Sequence, residues 1–157
     1  CVPGGHGVRD AIADAQIVDF VRSQARGAQY ITSVCTGAFI LGAADLLHGK
    51  DATCHWAYTH LLPMFGATHR PARVVRDGNL VTAGGVTSGI DFALELISDI
   101  AGEDVARTIQ LALEYDPAPP FSGGTPANAP DAILSSLRAR VYEKAATEME
   151  SAIKKII

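Results

Sequence analysis

Tyr30-Ile31-Thr32-Ser33-Val34-Cys35-Thr36-Gly37-Ala38-Phe39 is the stretch on which the fold turns. An apolar run with strand character meets a helix-like run at a single cysteine. Small residues stand two positions before it (Ser33) and two after it (Gly37). This is the sequence form of a nucleophile elbow, a sharp strand-to-helix turn that lifts a thiol above the carboxyl edge of a sheet. The flanks are small because larger side chains would collide in so tight a turn. Thr36 supplies the first helical N–H, placed to hold negative charge on a bound intermediate, and its hydroxyl can bond substrate or water. Each residue also has a plain structural role open to it: a free cysteine packs as a small hydrophobe, and a threonine is an ordinary first-turn residue.

Working outward, Ala11 to Arg26 carries apolar residues at helical spacing, with Gly27 as its cap. Ala28 to Val34 reads as a buried strand. Thr36 to His48 is apolar on nearly every side and predicts a buried helix ended by Gly49. Ala52 to Cys54 predicts a short strand, and Trp56 to Phe65 a short helix interrupted by Pro63. Asp77-Gly78, between Arg73-Val74-Val75-Arg76 and Leu80-Val81-Thr82-Ala83, is a hairpin signal. A helix follows from Ser88 to Ala101, stopped by Gly102, then a second from Glu103 to Tyr115. Asp116 to Pro130 is rich in Pro, Gly and Ser and predicts an irregular segment. Asp131 to the end predicts one long helix, packed on its own domain or offered to a partner.

Strands alternating with helices imply an α/β sandwich with a mostly parallel sheet, whose chemistry gathers at the carboxyl ends of strands. Three segments end strands in turn-like residues: Pro3-Gly4-Gly5, Cys35-Thr36-Gly37 and Ala83-Gly84-Gly85. Their convergence on one crevice is the geometric expectation. Gly4 and Gly5 can present backbone N–H groups opposite Cys35, or make a plain tight turn. Neither glycine pair matches a phosphate-binding fingerprint. Cys54-His55, His60 and His69 fit no structural zinc spacing, so no metal is expected. His55 can orient or deprotonate Cys35, or serve as a core histidine. Asp91 reads as a carboxylate at a helix start.

The 157 residues suit one domain; 48% are hydrophobic and 19% charged, a balance that excludes a disordered chain. The net charge of −4 without a basic block gives no footing for nucleic acid, and no apolar run reaches the ~20 residues of a membrane span. Three cysteines make no disulfide framework, which suits a reducing cytoplasm. The opening Cys1-Val2-Pro3-Gly4-Gly5 reads as the end of a strand, so residues before Cys1 are expected to exist.

Ser33 to Ala38, continuing through Leu41-Gly42-Ala43-Ala44-Asp45-Leu46-Leu47-His48-Gly49 to Ala52-Thr53-Cys54-His55-Trp56, resembles the ThiJ/PfpI superfamily, relatives of the class I glutamine amidotransferases. Val2-Pro3-Gly4-Gly5, Arg73 to Asp77 and Thr82 to Phe92 match as well. Tyr115-Asp116-Pro117-Ala118-Pro119-Pro120-Phe121 narrows the resemblance to the isonitrile-hydrating members. The resemblance implies a flavodoxin-like three-layer sandwich, a homodimer, and cofactor-free hydration of an isonitrile to an N-substituted formamide. Cys35 would attack the terminal carbon and Thr36 would position water or substrate, with His55, Gly5, Gly84 and Gly85 in support. Such members carry an Asp or Glu on an N-terminal segment, and no position here matches it. Cys54 stands where relatives often have Thr. The alternative implied function is the ligand-sensing domain of an AraC-type transcription regulator, which needs a helix-turn-helix region after it.

Overall fold

A computed structural model describes residues 1–157. Its sheet has three strands, β1 (Ile31–Val34), β5 (Leu80–Ala83) and β4 (Val74–Asp77), in the order β1-β5-β4. β1 and β5 run parallel, with Ile31 opposite Leu80 and Val34 opposite Ala83. β4 and β5 form the hairpin expected from Asp77-Gly78. Its two-residue turn, Gly78-Asn79, starts with Gly78 at φ +64°, a conformation glycine adopts without steric cost. Two-residue strands β2 (Asp51–Ala52) and β3 (Thr68–His69) pair in parallel beside it. Val2 adds a single parallel bridge to the outer edge of β1: its N–H donates to the Thr32 carbonyl (2.8 Å) and its carbonyl accepts from Val34 N–H (3.1 Å).

Alternate residues of the strands face opposite layers, and this makes the sandwich. Ile31 and Leu80 face the main core, where Phe39, Leu41, Leu47, Leu61, Leu62 and Ile153 are buried. Val34, Val81 and Ala83 face Phe92 and Leu96 of α4 (Ser88–Ala101) on the other side. Each fully buried large apolar side chain contributes about 1.5–3 kcal/mol, so the first cluster dominates. It is closed by α1 (Val8–Ala11), α3 (Ala38–Ala43), the tight helical segment Trp56–Phe65, and α7 (Glu143–Ile153), which buries Ala146, Met149 and Ile153. The last helix is therefore packed on its own domain.

The structure corrects two strands and four helices: β1 starts at Ile31 and not at Ala28, and β2 covers Asp51–Ala52 and not Ala52–Cys54. The helix expected from Ala11 to Arg26 is two: α1 ends at Ala11, and α2 (Ala15–Ala25) is capped by Asp14, whose Oδ1 accepts from the N–H groups of Gln16 (2.8 Å) and Ile17 (3.4 Å). The helix expected from Thr36 to His48 begins as a 3₁₀ turn, Cys35–Gly37, and α3 stops at Ala43. Asp45 takes φ +62° there, its N–H donates to Gly42 O (2.9 Å), and Leu46 N–H donates to Leu41 O (3.0 Å). These are the two bonds of a Schellman cap, with Asp in the place usually held by Gly. α5 (Glu103–Ala112) ends before Tyr115. The long C-terminal helix is α6 (Asp131–Leu137) and α7 joined by a π-helical turn, Arg138–Tyr142.

The buried Ser33 hydroxyl, beneath the elbow, has no hydrogen-bond partner. An unmet buried hydroxyl costs about 1–3 kcal/mol of desolvation. Ser33→Ala should therefore stabilise the chain by about 1 kcal/mol, read as a higher urea midpoint at unchanged slope; a lower midpoint would show that the hydroxyl is satisfied.

Candidate active site

β1 delivers Cys35 to the sheet's carboxyl edge, and the turn there is sharp. Cys35 takes φ +60°, a left-handed conformation that costs a residue with a Cβ about 1–2 kcal/mol. Its N–H donates to Gly84 O (2.9 Å), which ties the elbow to the end of β5. On the other side the Val2–Gly5 segment is pressed against the turn. A Cβ on Gly4 would lie 2.7 Å from Thr36 N and 2.8 Å from Cys35 Cβ, and one on Gly37 would lie 2.2 Å from Val2 O. The three strand ends thus meet around one sulfur, and glycine is what lets their backbones approach.

Gly5 N–H donates to Thr36 Oγ1 (3.1 Å). A hydroxyl that accepts in this way keeps its own hydrogen for another partner. Cys35, Thr36, Gly5 and His55 line one cavity of about 440 Å³, together with Tyr58, Tyr142, Arg9 and Glu148. Cys35 is half-buried. Gly84 and Gly85 do not line that cavity. They border a neighbouring one with Thr53, Cys54, His69 and Arg73, and touch the site through the Cys35 amide and through the His55 ring, 3.2 Å from where a Gly85 Cβ would be.

His55 Nδ1 accepts the Ala57 N–H (3.3 Å), so in the neutral ring the proton belongs on Nε2. Burial lowers the His55 pKa and favours that neutral ring. The ring is packed among Trp56 (5.5 Å between centroids), Tyr58 (5.8 Å, edge-on) and Tyr142 (5.1 Å). Burial, followed by proximity to Tyr142 and Cys35, raises the Tyr58 pKa and keeps its phenol protonated. Cys54 is buried, and its thiol is pushed far up, by burial first and by Cys35 second. His60 is exposed, His69 borders the neighbouring cavity, and no three His, Cys, Asp or Glu side chains gather into a metal-holding group. Asp91 is engaged at the start of α4, paired with Arg73 and accepting the Tyr115 hydroxyl (2.6 Å).

Sequence spacing did not point to Tyr58, Tyr142, Arg9 or Glu148 as cavity residues. Tyr58 lies three residues beyond His55, on the segment Trp56–Phe65 that reads only as a short helix. Tyr142 arrives from the far end of the chain on the π-helical turn, which has no signature in composition.

The model of the DJ-1/PfpI family matches residues 1–99. The isonitrile hydratase of Pseudomonas putida is 58% identical over 140 residues, covering 89% of this chain and 61% of the relative. The HTH-type transcriptional regulator GlxA of Rhizobium meliloti is 35% identical over 105 residues, covering 59% of this chain and 31% of the regulator. Among solved structures, a ThiJ/PfpI family protein from Pseudomonas syringae superposes with a TM-score of 0.90 at 39% identity, covering 96% of this chain and 62% of that one. The chain spans about three-fifths of the length of the hydratase and of the solved structure. No helix is long and apolar enough to cross a membrane.

Proposed function

We propose, because this chain belongs to the DJ-1/PfpI family, that its cavity adds water to an isonitrile and releases an N-substituted formamide. The observation that carries the reading is the pairing of a strained elbow cysteine, open to a cavity beside Thr36, with a relative of that activity at 58% identity. The regulators match over less of this chain and at lower identity, so the sensing role is the weaker reading.

In the proposed scheme the Cys35 sulfur bonds to the terminal isonitrile carbon, and the thiol proton is delivered to that carbon. The product is a thioimidate, S–CH=N–R. Water then adds across the C=N bond, with its oxygen on carbon and its hydrogen on nitrogen. Collapse breaks the C–S bond, frees the formamide HC(=O)–NH–R and returns the hydroxyl proton to sulfur. The covalent adduct divides one difficult hydration into two steps and consumes no cofactor. The Thr36 hydroxyl, held from behind by Gly5 N–H, donates toward the nitrogen or the water. His55, neutral with its proton on Nε2, serves as a donor. Gly5, Gly84 and Gly85 act through the backbone that fixes Cys35 and His55. We further propose a homodimer, supported by the exposed apolar Val105, Leu111 and Leu113 on and just beyond α5.

The test is incubation with a simple alkyl isonitrile and detection of the formamide. Mass spectrometry should place the adduct on Cys35 and not on Cys1 or Cys54. Thr36→Val should lower turnover about a hundredfold; an unchanged rate removes Thr36 from the scheme.

A further inference from the structure

Four rings meet at one side of the Cys35 cavity. Tyr142 stands 5.1 Å from His55, 5.0 Å from Trp56 and 6.1 Å from Tyr58, centroid to centroid. Tyr58 leans in turn on Phe39 in the core (6.3 Å), so the cluster is anchored and not merely laid on the surface. The contacts of Tyr142 with Trp56 and Tyr58 are edge-on, the arrangement that aromatic quadrupoles favour.

Tyr142 reaches this position because the helix is not regular there. It is the last residue of the π-helical turn Arg138–Tyr142, with φ −103°, between two stretches of α-helix. A π-turn inserts an extra residue, weakens local hydrogen bonding, and is common where a side chain must be re-aimed at a site. Here the side chain it presents lines the cavity that holds the thiol. The remaining wall includes Val86 and Met149, and the charges of Arg9 and Glu148 are paired with each other (2.5 Å). The cavity therefore offers a bulky substituent rings and apolar surface, with its nearby charges already matched.

We infer that Tyr142, with Tyr58 and His55, forms a subsite for the substituent on the isonitrile nitrogen and selects aryl-bearing substrates over small alkyl ones. The inference rests on the hydratase reading. The terminal carbon goes to Cys35, and because the C–N–R axis of an isonitrile is linear and rigid, the substituent is held at a fixed reach beyond the carbon that the sulfur attacks, to the side of the thiol and within the same cavity. A ring-lined wall in the same cavity is what receives it. Tyr142 is a specificity residue in this account and takes no part in bond making.

The experiment compares the protein with its Tyr142→Ala and Tyr142→Phe variants, using benzyl isonitrile and methyl isonitrile as substrates. Tyr142→Ala should lower the benzyl-to-methyl ratio of kcat/KM about tenfold, the scale of a lost aromatic contact, with the change in KM and not kcat. Tyr142→Phe should keep the ratio, because the ring is retained. A ratio unchanged in Tyr142→Ala, or a fall in kcat equal for both substrates, overturns the inference. If the unaltered protein hydrates neither isonitrile, the hydratase reading fails. The subsite is then judged alone by calorimetric titration with N-benzylformamide: binding that weakens about tenfold in Tyr142→Ala sustains it, and equal or no binding ends it.

Discussion

Cys35→Gly is expected to abolish isonitrile turnover and, at the same time, to raise the stability of the chain by about 1 kcal/mol. The two effects have one origin. Cys35 is held at φ +60°, where its Cβ crowds the backbone, by Gly84 O on one side and the Val2–Gly5 segment on the other. Glycine adopts that conformation freely. The relief of ~1–2 kcal/mol exceeds the ~0.5–1 kcal/mol of extra chain entropy that glycine loses on folding. The same change removes the one thiol that lines the cavity: Cys54 is buried with its thiol pushed up, and Cys1 lies outside the cavity. Urea denaturation and a formamide assay on one preparation read both quantities. Residual turnover would reject Cys35 as the nucleophile, and a lower midpoint would show that the elbow is not strained.

Gly37→Ala carries the largest expected loss, about 3 kcal/mol of stability and with it the site. The added Cβ would lie 2.2 Å from Val2 O and 2.9 Å from the Pro3 carbonyl carbon. Backbone on both sides cannot rotate away as a side chain can. Val2 must leave β1 and give up both bonds that hold it there, Val2 N–H to Thr32 O and Val34 N–H to Val2 O. Gly4 and Gly5 move with it, and Thr36 Oγ1 loses the donor behind it. Amide exchange at Val34 should accelerate along with the loss of midpoint. A stable variant with a protected Val34 amide would show that the segment has room to yield.

Much of this arrangement is legible in the sequence. Ser33-x-Cys35-x-Gly37 marked a sharp turn, and the structure gives that turn a left-handed cysteine and a glycine packed on Val2. The hairpin around Gly78 and the Gly102 break between α4 and α5 followed from residues whose backbone preferences are strong and local. Where the signal was weaker the boundaries shifted. α3 ended at an Asp in the left-handed region, a position where Gly is the usual sign, and Asp14 split a run whose apolar periodicity continued through it. The motifs that resemble ThiJ/PfpI proteins lie in a chain whose residues 1–99 match the DJ-1/PfpI family and whose fold superposes on a ThiJ/PfpI family protein at a TM-score of 0.90.

By itself the sequence determined the alternation of strand and helix, the elbow and the thiol at its tip, because period, glycine and small flanks act over a few neighbouring residues. Only the tertiary structure decided what surrounds that thiol. Tyr142 is 107 positions from Cys35 in the chain, yet a π-helical turn on a helix anchored by Met149 and Ile153 brings its ring into the same cavity. Gly84 and Gly85 border a neighbouring cavity and meet the thiol's surroundings only where Gly84 O accepts Cys35 N–H and where Gly85 lies close to the His55 ring. Such placements depend on how whole layers pack, and packing sums over contacts that no short stretch of sequence contains.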